Sequence, residues 1–399
     1  MSLLELLGFP PTLPRFAARL IRALPADQAP DWSCDLVRGL LTHPSGMELS
    51  LQNMLVEYRA SSVFSRSSLI NKYTALALAQ SQEIPALWIT AARNVIPVVR
   101  SEFAETTVEI KSRANGAKMD SVVLPLAGDL RVRLVYDFGQ FVSYVKGEQL
   151  RTWGQSEEDV LQRALSNLGR LKTPEWVDSG RGFHQLASEE SYAESMALLD
   201  SVVAKLPFAI DALLMPCNRG VLLAADGRSE EAISAMIAEA IRCSQEEPWP
   251  MSATLLCKRS DGQWAEAAPP ASAADLAHKL FLQHRADFYA AQKEELDALH
   301  ERSGRDVFVA SCALIGTDQA WESYCVWSEG VESLLPITDW VALIQADEED
   351  KFLRVSWPDL VEICRGRLQA TSESPPRFLV NSFPDSDEWA LLSTREIAK

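Results

Sequence analysis

The sequence predicts an α+β protein of two domains, with mixed, mainly antiparallel sheets packed with helices. Three observations carry that expectation. A chain of 399 residues is too long for one ordinary core. Apolar residues at helical spacing and short alternating runs both recur along it. One stretch, residues 131–145, has the alternation, turn and return of a β-hairpin.

Taken in order, residues 13–24 carry Phe16, Leu20 and Ile21 at helical spacing. Residues 32–41 read as a strand, and His43 to Gly46 as a turn. Met47, Leu49 and Leu51 alternate as in a strand with one buried face, and Asn53 starts a helix. A further helix covers residues 67–80. Residues 88–99 are apolar but contain Pro97, and the pattern leaves helix and strand both open there. Residues 111–120 read as an exposed loop.

In the hairpin, Val132, Leu134 and Tyr136 alternate with Arg131, Arg133 and Val135; Asp137 to Gln140 turn the chain and 141–145 return. Ser156 with Glu157, Glu158 and Asp159 resembles a capping box, and Gly169, which can adopt φ > 0, ends that helix. A second capped helix runs from Ser188 to about Leu206, before Pro207. Strands follow at 210–216, 220–225 and 253–258, with a helix over 229–242.

The small-residue stretch 265–274 contains Pro269 and Pro270, which cannot continue a helix. It suggests a domain over 1–265, a linker over 266–274 and an acidic domain over 275–399. That last domain opens with a long helix striped by Leu276, Leu280, Phe288, Leu296 and Leu299 and closed by Gly304. Strands are expected at 307–315, 323–327, 340–345, 352–356 and 378–381, with a helix at 359–368 and another at the C-terminus.

The formal net charge is −17, and residues 275–399 hold 23 acidic against 12 basic side chains. Such a surface repels phosphate backbones and anionic lipids, so general nucleic-acid or membrane-surface binding is not expected. The seven cysteines are scattered, odd in number and free of Cys-x-x-Cys spacing, which suits reduced thiols in a cytoplasmic protein. The first ten residues carry Glu5 and no basic region, unlike a signal peptide.

Val123-Leu-Pro-Leu-Ala-Gly-Asp-Leu130, then Leu134-Val-Tyr-Asp137, Tyr144-Val145, Leu150-Arg-Thr-Trp-Gly154 and Ala164-Leu-Ser-Asn-Leu168 follow one another in a specific order. With Asn94 to Arg100 upstream and Met215 to Leu223 downstream, this series resembles the YtpQ-like bacterial family of unknown function. The resemblance covers about residues 10–265. It implies a bacterial, cytosolic α+β domain and carries over no catalytic residue. Residues 275–399 resemble nothing comparable.

Chemical motifs are sparse. Asp137-Phe138-Gly139 spells a kinase metal triplet without the other kinase elements, and reads as a hairpin turn. Gly180-Arg-Gly182 is a fragment of a glycine-rich loop, with no phosphate-binding pattern around it. No zinc spacing involves the five histidines; His278, His284 and His300 ride one polar helix and are expected in solvent. No metal and no cofactor are expected. Cys325 alternates with Ser323 and Trp327 on one strand face, which suits a core rather than a nucleophile.

The function these features point to is a non-catalytic protein-binding module of adaptor, chaperone-like or immunity type. Its partner would be cationic, met by the acidic domain. Trp321 and Trp340 are the candidate anchors, with Asp347, Glu348, Glu349 and Asp350 as the acidic rim. Both indoles should then be partly exposed. An alternative is a hydrolase-type enzyme using acids and arginines from separate loops, with Asp129, Asp137 and Arg219 as candidates. A structural subunit of a bacterial assembly is the third reading.

Overall fold

Helical stripes build a small N-terminal layer. In the computed structural model, which describes residues 11–44, 48–62, 65–78, 83–103, 106–114, 120–139, 141–172, 175–187, 192–247, 249–316, 320–346 and 352–397, helix α1 (Leu13–Ala23) buries Phe16, Ala17 and Leu20. The strand expected over 32–41 is instead a hairpin of β1 (Ser33–Asp35) and β2 (Leu40–Thr42). Asp35 Oδ1 accepts from the amides of Val37 and Arg38, and this local turn competes with extension. Strand β3 (Glu48–Ser50) completes an antiparallel meander. Ser50 caps α2 (Leu51–Ala60), and α3 (Arg66–Leu78) packs beside it. Phe16, Tyr58 and Tyr73 meet ring to ring in this core.

The open choice at 88–99 resolves into both: one helical turn, α4 (Trp88–Ala91), then strand β4 (Val95–Ser101). Pro97 is tolerated because β4 pairs along one edge only, with β6. Residues 111–114 are not loop but the last turn of α5 (Thr106–Ala114); residues 115–119 lie outside the described ones. Strands β5 (Val123–Ala127), β6 (Leu130–Asp137) and β7 (Val142–Tyr144) join β4 in an antiparallel sheet, with β6 pairing all three.

Helices α6 (Gly147–Trp153) and α7 (Glu157–Leu168) follow, the second capped by Ser156 as its spacing predicts. Gly169 leaves the helix at φ −68, so no left-handed residue is used there, contrary to expectation. The helix expected from Ser188 is also not formed as one piece. Its first residues are outside the described set; beyond them a 3₁₀ turn (Ala193–Leu198) and α8 (Asp200–Val203) are separated by extended Leu199.

A six-stranded antiparallel sheet takes the order β13-β12-β10-β11-β9-β8. Its strands are β8 (Glu175–Asp178), β9 (Phe183–Ala187), β10 (Ala212–Asn218), β11 (Val221–Asp226), β12 (Leu256–Lys258) and β13 (Trp264–Glu266). Helix α9 (Glu230–Glu246) covers one face with Ile233, Met236, Ile237 and Ala240. Within the stretch read as linker, Glu266 closes β13, Ala271–Ala273 form a 3₁₀ turn, and Ala273 is buried.

Helix α10 (Ala274–Ser303) then runs its full expected length and ends at Gly304 in the left-handed region, φ +65. It packs on α5 and α9 and on β14, β15 and β16 of the C-terminal half. That half has two four-stranded mixed sheets. One is β14 (Phe308–Val309), β17 (Ser333–Pro336), β21 (Arg377–Val380) and β20 (Gln369–Ala370). The other is β15 (Ala313–Gly316), β16 (Trp321–Ser328), β18 (Trp340–Ile344) and β19 (Phe352–Ser356). Pairs β14–β17 and β16–β18 are parallel and the rest antiparallel. The single strand expected over 307–315 is thus two strands in two sheets. Helices α11 (Trp357–Ile363) and α12 (Ser386–Thr394) close the core around Trp327 and Leu360. No described strand of residues 33–266 pairs with a strand of residues 308–380.

Candidate functional site

The first half of α10 does not bury its whole inner face. Ala274, Ala277, His278, Phe281, His284, Arg285 and Phe288 recur every three or four residues and line one side of a cleft of about 550 Å³. At the helical rise this row is about 21 Å long. The facing wall comes from separate segments: Glu102 and Phe103 after β4, Gly128 and Asp129 in the β5–β6 turn, Thr254 and Leu255 before β12, and Glu266 and Ala267 at the end of β13. Gly128 sits at φ +54, and a Cβ there would lie 2.5 Å from Thr254 Oγ1, so glycine is what lets the turn close on this wall.

Asp129 is the best-held carboxylate of the wall. Ser101 Oγ donates to it at 3.0 Å and Thr254 Oγ1 at 2.8 Å, and Ser252 Oγ donates as well. All three donors are neutral, so its charge is solvated but not cancelled. Glu102 pairs with Arg131, and burial followed by the Asp129 charge holds its carboxyl above the ordinary value against that cation. Glu266 is exposed at the mouth and has no hydrogen-bond or ion-pair partner among the described residues. Across the cleft Arg285 lies over the rings of Phe281 and Tyr289.

His284 is the anomaly of this site. It is 5 % exposed, and neither ring nitrogen has a hydrogen-bond partner. Burial pushes it down to about 4, with Asp129 pulling weakly the other way. An unfolded histidine binds its proton near 6.5, so the folded state binds fewer protons between the two values. The stability this contributes is full above 6.5 and is lost as pH falls towards 4. Urea denaturation of wild type and His284→Phe at stepped pH tests it: the wild type should lose more stability over that window than the variant. Parallel curves would contradict the assignment.

The residues singled out in the sequence are not gathered into one site. Trp340 is 5 % exposed, which corrects its expected exposure. Its ring stacks on Tyr324 at 4.6 Å, the Arg354 guanidinium lies 4.2 Å over it, and its Nε1 donates to Glu322 at 3.2 Å. Trp321 is half-buried, with the Lys279 ammonium 4.8 Å from its ring. Trp340 pairs opposite Tyr324, three residues beyond Trp321, so the two indoles leave opposite faces of the sheet. Asp347, Glu348, Glu349 and Asp350 lie outside the described residues.

Asp129 and Asp137 stand at opposite ends of β6, and Asp137 is engaged by the Tyr192 hydroxyl and the Gly139 amide. Arg219 lies over Trp249. The cleft therefore contains Asp129 alone of those three. Cys325 is buried and pushed up to about 12 by that burial, a core thiol. Of the helix histidines only His278 is exposed; His284 and His300 are buried, against expectation. The signal was present: His284 lies four residues from both Leu280 and Phe288, inside the apolar stripe.

Among the described residues no group of three or more His, Cys, Asp or Glu is placed to hold a metal ion. No described helix is long and apolar enough to cross a membrane. No family model matches the chain, and neither does any curated protein or solved structure.

Proposed function

We propose that this chain is a non-catalytic protein-binding module that takes a cationic, partly apolar segment of a partner in the cleft beside α10. The observation that carries the reading is the combination on its walls: the uncancelled carboxylates of Asp129 and Glu266, with Phe103, Phe281 and Phe288 between them. A concave apolar floor with a few placed charges is what a recognition site needs, and acidic complementarity steers a basic partner into it. The row along α10 is long enough for an extended segment of several residues. With the YtpQ-like motifs, we take the setting to be a bacterial cytosol.

Selection of a random peptide library on the immobilised full chain tests this. Winners should be enriched in Lys or Arg next to aliphatic or aromatic residues, and the enrichment should vanish on Glu266→Ala. Enrichment that is absent, or unchanged in that variant, would contradict it.

One observation favours a hydrolase-type reading instead: Glu102, shifted upward, shares the cleft with Asp129. The hydroxyls of Ser101, Ser252 and Thr254 all donate to Asp129, however, which commits them to holding the carboxylate. Turnover of an ester or peptide library that is lost on Glu102→Gln would support this second reading.

A further inference from the structure

Three features share this cleft. Asp129 has roughly four lone-pair sites, and three hydroxyl donors from Ser101, Ser252 and Thr254 occupy most of them. Glu266 offers a carboxylate without a partner among the described residues, and its Oε2 lies on the same side of the Gly128 turn as Thr254. His284 lines the same cleft from α10 and is buried there, with both ring nitrogens unpartnered. A buried imidazole with neither nitrogen satisfied is costly to the fold, and such groups call for a ligand or a function.

Resting on the binding reading above, we propose that this end of the cleft reads an arginine side chain of the partner. The guanidinium sits between Asp129 and Glu266, donates an N–H to the acceptor nitrogen of His284, and lays its flat face along the phenylalanine-lined floor.

Lysine fits this arrangement less well. Its ammonium is a compact, strongly hydrated point charge, whereas a guanidinium presents five N–H groups in one plane and stacks on aromatic rings. Acceptors on two walls, with Phe103, Phe281 and Phe288 between, match the planar group. The residual acceptor capacity of Asp129 also suits a single well-aimed N–H rather than a full shell. An anionic ligand would meet Asp129 and Glu266 unscreened. Among the described residues of the lining Arg285 is the one permanently charged cation, and it is held over Phe281 and Tyr289 on the helix. Its repulsion keeps the incoming guanidinium on the sheet-side wall, away from the Phe281 face that Arg285 covers.

The test is calorimetric titration of the full chain with three capped pentapeptides, identical except for arginine, lysine or citrulline at the centre between leucines. Arginine should bind at least about tenfold more tightly than lysine. Citrulline, which keeps the shape and loses the charge, should not bind measurably. His284→Phe should weaken the arginine peptide about tenfold and change the lysine peptide by less than about twofold; the melting temperature of the variant verifies its fold. Equal affinity for arginine and lysine would overturn the proposal, as would unchanged arginine affinity in a folded His284→Phe. If arginine and lysine bind equally and both are lost on Glu266→Ala, the arginine reading falls and the cationic cleft stands. If no peptide binds, both fall. The ligand series on the wild-type chain decides the case even where a variant does not fold.

Discussion

Replacing Glu194 by alanine should destabilise the protein by roughly 3–5 kcal/mol, read as a fall in the urea midpoint. Glu194 is fully buried in the 3₁₀ turn behind β4. One carboxylate oxygen accepts from Arg100 Nη1 at 2.6 Å and the other from the Gly220 amide at 2.7 Å. Arg100 is itself buried, and its other side-chain partners, the Val99 carbonyl and the Tyr144 hydroxyl, carry no full counter-charge. Removing the carboxylate leaves a guanidinium in low dielectric without its counter-charge, which costs far more than the intact pair contributes. Removing both charges together, as Arg100→Met with Glu194→Leu, should recover most of the loss. A single-variant loss below about 1 kcal/mol would mean that water reaches the pair.

Arg377→Ala should cost a similar amount, about 3–5 kcal/mol. Arg377 is fully buried and is pushed down to about 10 by that burial. It donates to the carbonyls of Ala310 at 2.7 Å, Leu334 at 3.0 Å and Tyr289 at 3.2 Å, and to Gln292 Oε1. Those acceptors belong to β17, to the chain after β14 and to α10. The residue therefore ties the long helix to the sheet beneath it, and truncation removes those donors and opens a cavity. Chemical denaturation measures the effect. A loss of less than about 1 kcal/mol would show that other donors replace it.

Local chemistry was legible in the sequence. The stripe Phe16–Leu20, the Ser156 cap, the 131–145 hairpin and the Gly304 stop all formed where spacing and turn residues place them. Mixed, mainly antiparallel sheets follow from the same alternation. Apart from the local Asp35 turn that splits residues 32–41, the failures depend on what a distant segment supplies. Leu199 interrupts a helix whose pattern runs on, while Glu194 beside it is held by Arg100, 94 residues away. Alternation assigns Trp340 to a sheet face but does not reveal that Arg354 and Tyr324 cover it.

The cleft itself was not legible. Asp129 belongs to it because Ser101, Ser252 and Thr254 converge there, from positions up to 125 residues away. His284 reads as solvent-facing by residue type, although its place in the stripe points inward. What the stripe does not show is that the same helix face lines a cleft with residues more than 150 positions upstream, such as Asp129.

The central claim is that the cleft beside α10 binds a cationic segment. It is tested most directly by the affinity of a library-selected peptide for wild type, Glu266→Arg and Glu294→Arg, measured by calorimetry on the full chain. Glu266 lines the cleft from the end of β13, whereas Glu294 is exposed in the second half of α10 and outside the lining. The account predicts a loss of at least about a hundredfold for Glu266→Arg and less than about threefold for Glu294→Arg, whose effect is limited to screened long-range charge. Equal losses in the two variants, or none in either, would contradict it.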